Sequence, residues 1–315
     1  MSASKVLVVG SNMTDMITYV KRAPGAGETI IGDRYVTGYG GKGANQAVMA
    51  RSLGSDVVMV TCLGDDANGA AYRSHFEALG MDTTHVHTAA PGVASGAAPI
   101  WVEANGQNRI IVVPGANNCL TSEQAVAAVE AASNATAKVA VGQFEVPQSV
   151  TAAGFAAAKR RGGCTTVLNP APAEALDPAL LSASDWLIPN ESEFALLSSG
   201  TPSETPPDDA AILAFAAKIA PTRLLVTLGA SGVALVDAAG KAVQRLPAPT
   251  PSGSVVDTTG AGDAFVGAFC HGLAAGKAEV DAVQLGMACA TDSVTREGTQ
   301  TSFPSQARCE QLGIL

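Results

Sequence analysis

The segment Val256-Asp257-Thr258-Thr259-Gly260-Ala261-Gly262-Asp263 runs directly into Ala264-Phe265-Val266-Gly267-Ala268-Phe269. Phe265, Phe269 and Leu273 recur every four residues, so a helix with a buried stripe begins one residue after Asp263. Gly260 and Gly262 leave backbone amides uncovered at the start of that helix, where unpaired N–H groups and the helix dipole favour an anion. The simplest reading of Asp263 is a capping carboxylate, which would contribute about 1 kcal/mol. A cap has no need of two glycines before it, however. Glycines beside a carboxylate suit a pocket that holds both a developing negative charge and a base.

A second place, Gly38-Tyr39-Gly40-Gly41-Lys42-Gly43 followed by Ala44-Asn45-Gln46-Ala47, satisfies G-x-G-x-x-G. Alone that motif is a weak mark of a dinucleotide fold; with Asp65 downstream it keeps an NAD-dependent oxidoreductase open. Its context is poor, because such a fingerprint belongs at the first βα turn. Here that turn would follow Gly10 and carries Ser11-Asn12-Met13-Thr14-Asp15. No Gly-Lys pair is followed by Ser or Thr, so a Walker loop is absent. Lys42 is either an exposed turn charge or a lysine held in a site. Asp15 is a turn former or a hydroxyl acceptor, and Glu145 a surface charge or a second acceptor.

A third place pairs Pro189-Asn190-Glu191-Ser192-Glu193 with Thr227-Leu228-Gly229-Ala230-Ser231-Gly232. Asn190 and Glu193 have capping-box spacing, yet a carboxylate at the carboxyl end of a strand can also organise magnesium, often through water. The glycine-rich turn lies between apolar strands and reads as a hairpin, whose glycines could also let backbone amides approach a polyphosphate.

These places must be held by the rest of the 315 residues. Apolar strands are expected at Lys5–Gly10, Asp56–Cys62, Lys138–Gly142, Thr165–Leu168, Asp185–Ile188 and Arg223–Leu228. Helices are expected at Ala44–Leu53, Gly69–Leu79, Ser122–Ala132, Ser149–Arg161, Asp209–Ala220 and Ala264–Ala275. That alternation predicts an α/β fold: a mostly parallel sheet covered on both faces, with ligands at the strand carboxyl ends. Segments of about 16–38 and 92–114 instead alternate like strands joined by turns, and predict a small β-sheet over that end. The Pro-rich stretch Ser199–Asp208 reads as a surface loop, so the chain is expected to be one domain.

Composition narrows the partners. Acidic residues outnumber basic ones 28 to 19, giving a net charge of -9, which argues against nucleic acid and against an anionic membrane surface. The longest stretch free of Asp, Glu, Lys and Arg, Thr83–Val102, contains two prolines and two glycines and does not read as a membrane span. The opening residues carry no apolar run of secretory length. Six cysteines are scattered with no Cys-x-x-Cys pair, so buried free thiols in a reducing cytoplasm are expected.

Taken together, these places resemble the ribokinase-like (PfkB) carbohydrate kinase family over nearly the whole chain. Gly40-Gly41-Lys42-Gly43-Ala44-Asn45-Gln46-Ala47 looks like its first signature and Asp257 to Phe265 like its second. The two in this order are far more specific than either alone. The resemblance implies an αβα sandwich with a small β-sheet lid. It also implies an ATP-dependent sugar kinase that moves the γ-phosphate of ATP to the 5-hydroxyl of D-ribose. In that reading Asp263 is the base, and the amides of Gly260, Ala261 and Gly262 form the anion hole. Met13, Asp15, Gly41, Lys42, Gly43, Asn45 and Glu145 meet the sugar. ATP lies along Asn190, Thr227, Leu228, Gly229, Ala230, Ser231, Gly232, Gly262 and Met287. Glu193 organises Mg²⁺ through water, and K⁺ sits among oxygens near Asp257, Thr259, Ser293, Arg296, Gly298 and Ser302. The family's lids commonly pair across a homodimer.

One departure stands out. Bacterial members acting on ribose usually carry Asn where this chain has Met13, and a thioether cannot donate a hydrogen bond. The contact there comes from backbone, or that hydroxyl is recognised less strongly. Other sugar or nucleoside kinases of the family, and a non-catalytic sugar-binding protein of the same fold, remain alternatives.

Overall fold

The structure, a computed structural model, describes residues 5–132 and 137–314. The opening residues 1–4, expected to carry no leader, lie outside the described residues, as does residue 315. The chain begins with β1 (Lys5–Val9), β2 (Met13–Val20) and β3 (Arg34–Gly40), then α1 (Lys42–Ser52), β4 (Asp56–Leu63) and α2 (Ala67–Ala78). Three strands follow, β5 (Val86–Thr88), β6 (Ala97–Glu103) and β7 (Asn108–Ile110). The middle of the chain is α3 (Ser122–Ala131), β8 (Ala137–Gly142), α4 (Gln148–Arg161), β9 (Thr165–Leu168), α5 (Pro178–Ser182) and β10 (Trp186–Leu187). After it come α6 (Glu191–Ser199), α7 (Asp209–Ile219), β11 (Arg223–Thr227), β12 (Val233–Val236) and β13 (Val243–Leu246). Helices α8 (Ala261–Ala274), α9 (Glu279–Ser293) and α10 (Gln306–Gln311) close it.

Nine strands form one sheet in the order β13-β12-β11-β10-β9-β8-β1-β4-β5. From β5 to β11 neighbours run parallel, while β11, β12 and β13 pair antiparallel. Both faces are buried. Val6 and Val8 point into a core with α1, α8 and α9, while Leu7 and Val9 point into a second core with α3, α4 and α7. A continuous apolar strand is what such two-sided burial requires. A second sheet, ordered β3-β2-β6-β7, stands apart from the first, as the alternating segments predicted. Tyr35, Val36, Ile110, Ile111, Val112 and Val113 are exposed on it and beside it.

Several expectations need correction. Met13-Thr14-Asp15 do not form a turn after β1; they open β2, which pairs antiparallel with β3. The last predicted helix starts at Ala261, not Ala264, which puts Asp263 inside its first turn. Helices α5, α9 and α10 were not among the expected elements, and of α6 only the capping-box start was foreseen. Cys119 is exposed and Cys164 half-buried, although the other four thiols are buried as expected. Among the described residues no helix is long and apolar enough to cross a membrane.

The pair α1 and α8 does most to position the site. Phe269 of α8 is fully buried, edge-on to Trp186 with ring centres 5.2 Å apart. Beside it the helices touch backbone to backbone: a Cβ added at Gly267 would lie 2.5 Å from the Gln46 carbonyl oxygen and 2.7 Å from Met49 Cβ. Gly267→Ala must push the helices apart, so we expect a loss of about 1–3 kcal/mol, typical of overpacking. A lower urea midpoint at unchanged slope will show it; an unchanged midpoint would remove this contact from the account.

Candidate active site

Gly260 has φ 78°, a left-handed conformation that a side chain resists, and it hands the chain into α8. A Cβ there would also lie 2.4 Å from Thr299 Cγ2. The helix start has no side-chain cap, so Asp263 is not the plain capping carboxylate. Its side chain turns across to α1. Asn45 Nδ2 donates to Asp263 Oδ2 at 2.9 Å, and Gln46 Nε2 donates to Oδ1 at 3.0 Å. Asp263 is only 8% exposed, so these donors replace water that it has lost. Gln46 is fixed in turn, accepting from Gln143 Nε2 at 2.6 Å and donating to Asn169 Oδ1 at 3.0 Å.

Asp263 lines a cavity of about 200 Å³ with Lys42, Asn169, Asn190, Glu193, Thr227, Gly260 and Gly262. A larger cavity of about 470 Å³ shares Asn190, Thr227 and Gly262 with it. Its walls are mostly apolar: Val233, Pro249, Pro251, Val255, Phe265, Met287 and Val294. Gly229, Ala230 and Gly232 also line it, and they belong to the tight β11–β12 connection foreseen as a hairpin. Leu228 and Ser231 do not. Leu228 is buried in the second core and Ser231 is exposed on the turn.

Asn190 and Glu193 form the expected capping box at the start of α6. The Asn190 side chain accepts from Glu193 N, and Glu193 Oε2 accepts from Asn190 N at 2.9 Å. The same two residues face both the helix and the smaller cavity, so capping does not withdraw them from it. Burial is the main force raising the Glu193 carboxyl, to about 7, with Asp263 and Glu191 adding to it against Asn190 and Lys42.

On the other side of Asp263 lie the residues expected to meet a sugar. Asp15 packs against Gly40, where a Cβ would come within 2.3 Å of its carboxylate. Burial, then Glu145, then Asp263 push the Asp15 carboxyl up to about 7. Glu145 Oε2 accepts from Ser11 Oγ at 2.6 Å and from the Lys42 amide at 2.8 Å. Burial pulls the Lys42 ammonium down, but Asp263, Glu145 and Glu193 outweigh it and hold the group above its usual value. Lys42 is therefore no solvated turn charge. Met13 is 2% exposed and, two residues from Asp15, shares its face of β2. Of the residues expected to meet the sugar, Met13, Asp15, Gly41, Gly43, Asn45 and Glu145 line neither cavity, and Asn45 bonds Asp263 directly.

The residues expected around a monovalent ion also converge. Asp257 Oδ1 accepts from Thr259 N at 2.9 Å and Oδ2 from Gly298 N at 3.0 Å, joining the two segments. The Arg296 guanidinium is not free for a ligand role, being bonded to Asp292 and to the Ser302 carbonyl. Its like charge would repel a cation, so only its backbone oxygen suits the expected role. Ser293 Oγ donates to the Ala290 carbonyl at 2.8 Å, which leaves its lone pairs open. Among the described residues no three His, Cys, Asp or Glu side chains gather as a metal cluster.

Sequence reasoning passed over Ser11, Gln46, Asn169, Gln300 and the apolar walls of the larger cavity other than Met287. Gln46 lay inside the first motif. Asn169 directly follows a parallel strand, a position where α/β sheets present polar groups to ligands. The dinucleotide alternative is overturned: Gly38 to Gly43 join an antiparallel strand to α1, not a parallel strand at the first crossover.

The family model described as pfkB family carbohydrate kinase matches residues 3–306. A deoxyribokinase of Salmonella typhimurium is 36% identical over 301 residues, covering 95% of each chain. A ribokinase of Haemophilus influenzae is 37% identical over 315 residues, covering 98% of this chain and 97% of its own. Among solved structures, Arabidopsis thaliana ribokinase complexed with ribose and ATP superposes with a TM-score of 0.86 at 30% identity, covering 99% of both. Two glycine-rich segments that meet at one buried carboxylate, and a family model running almost end to end, lead to one conclusion: the chain belongs to the pfkB family of carbohydrate kinases.

Proposed function

We propose that this chain is an ATP-dependent sugar kinase that transfers the γ-phosphate of ATP to the 5-hydroxyl of D-ribose, giving D-ribose 5-phosphate. The observation that carries the reading is Asp263. It is a buried carboxylate on the first turn of α8, at the wall of one cavity and beside a larger one of nucleotide size. Its relatives named ribokinase, and the superposed structure holding ribose and ATP, support the choice of substrates.

A sugar hydroxyl is a weak nucleophile, and phosphoryl transfer spreads charge over the transferring oxygens, so positioning and electrostatics must lower the barrier. In the proposed mechanism Asp263 accepts the hydroxyl proton as the oxygen attacks. The amides of Gly260 and Gly262 face the charge that builds, while that of Ala261, expected to join them, donates instead to the Thr258 carbonyl at 3.2 Å; one lost donor in such a hole typically costs about 10²–10³ in rate. Phe265, Met287 and Val294 enclose the base of ATP, and the Asn190, Thr227 and Gly229–Gly232 region takes its phosphates. Asp15 and Glu145 accept from the remaining hydroxyls of the sugar. Lys42, between those acceptors and Glu193, balances the carboxylates when phosphate is absent and meets phosphate when it arrives.

Hard oxygen donors at Asn190 and Glu193 fit a largely hydrated Mg²⁺, which supplies neutralisation of the β- and γ-phosphate charge when bound. Oxygens of Asp257, Thr259, Ser293, Arg296, Gly298 and Ser302 fit the proposed K⁺, with the Asp257 carboxylate as the one formal charge. The sheet of β2, β3, β6 and β7 acts as a lid. The apolar residues exposed on it and beside it, among them Tyr35 and Ile110, suit pairing with a second copy as a homodimer. Unpaired cysteines fit a cytoplasmic enzyme.

A second reading concerns the sugar. Met13 shares a strand face with Asp15 and offers no donor, and a relative is named deoxyribokinase. A site without that donor gives little advantage to a sugar carrying the extra hydroxyl. We therefore propose that 2-deoxyribose is also a substrate.

Three outcomes test these readings. Asp263→Asn should keep the fold and its thermal shift with ribose, and lose kcat by roughly 10³-fold or more, as expected when general-base and electrostatic roles vanish together. Near-normal ADP release from ribose in that variant would remove Asp263 from the role. Met13→Asn should raise the ribose-to-deoxyribose ratio of kcat/KM by roughly 10-fold, the scale of one added polar contact; a constant ratio would place Met13 outside the sugar's reach. The third is a pH effect. Asp15 sits at about 7 when folded against 3.8 ordinarily, so the folded state keeps a proton that the unfolded chain sheds. The associated stability is complete below the ordinary value and lost as pH rises through about 7. Asp15→Asn should therefore raise the sugar-free melting temperature at pH 8 by roughly 2–4 °C, and much less near pH 4. Equal shifts at both pH values would contradict the burial of an acid.

A further inference from the structure

We propose that Gln300 is a positioning residue that sets the Asn45 amide onto the base, an inference resting on Asp263 being that base. Asn45 has one donor end and one acceptor end. Its Nδ2 reaches Asp263 Oδ2 at 2.9 Å, and its Oδ1 accepts from Gln300 Nε2 at 3.0 Å. Turning that amide over would set an oxygen against the carboxylate and two NH₂ groups against each other. Gln300 therefore selects the orientation that serves Asp263.

Gln300 is itself held on every side. Its Nε2 also donates to Tyr72 Oη at 3.1 Å, and Tyr72 Oη donates to the Gly40 carbonyl at 2.5 Å. Because Nε2 faces two acceptors, Oε1 is left as the acceptor for His75 Nε2 at 2.8 Å. His75 stacks on Tyr39, ring centres 3.9 Å apart. The donors thus point one way, from His75 through Gln300 and Asn45 to the carboxylate, and hydrogen bonds aligned in series polarise one another.

Position in the chain adds a second argument. Gly298 N bonds the Asp257 carboxylate, Thr299 packs on Gly260, and Gln300 reaches Asn45. Three successive residues each touch a different part of the site. Through Tyr72 and Gly40, Gln300 also ties this segment to the end of β3, where Asp15 packs. The inference follows: Gln300 transmits the placement of the 298–300 segment and of the β3 end to the base.

The test uses Gln300→Leu and Gln300→Glu in the full chain. The first removes both ends of the amide; the second keeps an acceptor for His75 but has no donor for Asn45. Both should lower kcat for ribose roughly 10-fold, about 1.4 kcal/mol, with KM for ATP unchanged. In an Asn45→Ala background, adding Gln300→Leu should bring no further loss. Wild-type kcat in Gln300→Glu would overturn the proposal, and so would a full additional loss in the double variant. If Gln300→Leu does not fold, Gln300→Glu carries the test. Active Asp263→Asn would instead refute the assignment of the base, which keeps the two failures apart.

Discussion

A carboxylate removed from water and left ionised is costly unless other groups take the place of its hydration, and the site is organised around meeting that demand at Asp263. Two neutral side-chain amides, from Asn45 and Gln46, each donate to one of its oxygens. The uncovered amides at the start of α8 add a favourable field, and the Lys42 ammonium shares the cavity. Neutral donors have a particular merit here. They hold the carboxylate without a tight ion pair, which would make it a poorer proton acceptor. Such short donor distances demand that α1 and α8 touch closely, and Gly267 permits it.

The surroundings of that carboxylate are less comfortable. Asp15, Glu145 and Glu193 stand near it, facing a single lysine, and burial lifts both Asp15 and Glu193 to about 7. A protein selected only for stability would not gather buried acids in this way. The proposed sugar would meet this cost: each hydroxyl that donates to a carboxylate lowers a penalty that burial has imposed. In that reading, sugar binding and the cost of gathering these acids are two views of one arrangement.

How much of this could be read from the chain depends on the range of the interactions involved. Strand β1 was legible because burial on both faces leaves an unbroken apolar run, Val6 to Val9. The start of α8 was misread by three residues because Ala261 and Gly262 carry no apolar periodicity, and a left-handed Gly260 is invisible in one letter. Helix α9 was missed for a similar reason. Gly286 in its middle weakens any helical signal, yet it is needed where Phe265 leaves no room for a Cβ. Asp263, Asn190 and Glu193 announced themselves through local spacing. Gln300 could not, since its partners Asn45, Tyr72 and His75 lie more than two hundred residues away. The same holds for Asn169 and Gln46, whose roles exist only once the sheet has closed.

The net charge of -9 raises a question about any phosphate-bearing partner, because the field of the whole molecule opposes an anion at long range. The architecture answers locally. The larger cavity is walled by Phe265, Met287, Val294 and prolines, so most of its contact with the proposed nucleotide would be apolar and indifferent to charge. In the proposed site, attraction for phosphate is confined to backbone amides around Gly229–Gly232 and at Gly260 and Gly262, and to Lys42. Amide dipoles act over a few ångströms and need no countercharge elsewhere in the fold. Lys42 lies in the field of Asp263, Glu145 and Glu193, so a phosphate competes with them for its charge. That competition favours a nucleotide that arrives with part of its charge already neutralised. It also favours one that arrives together with the sugar, whose hydroxyls occupy the acids that would otherwise keep the lysine.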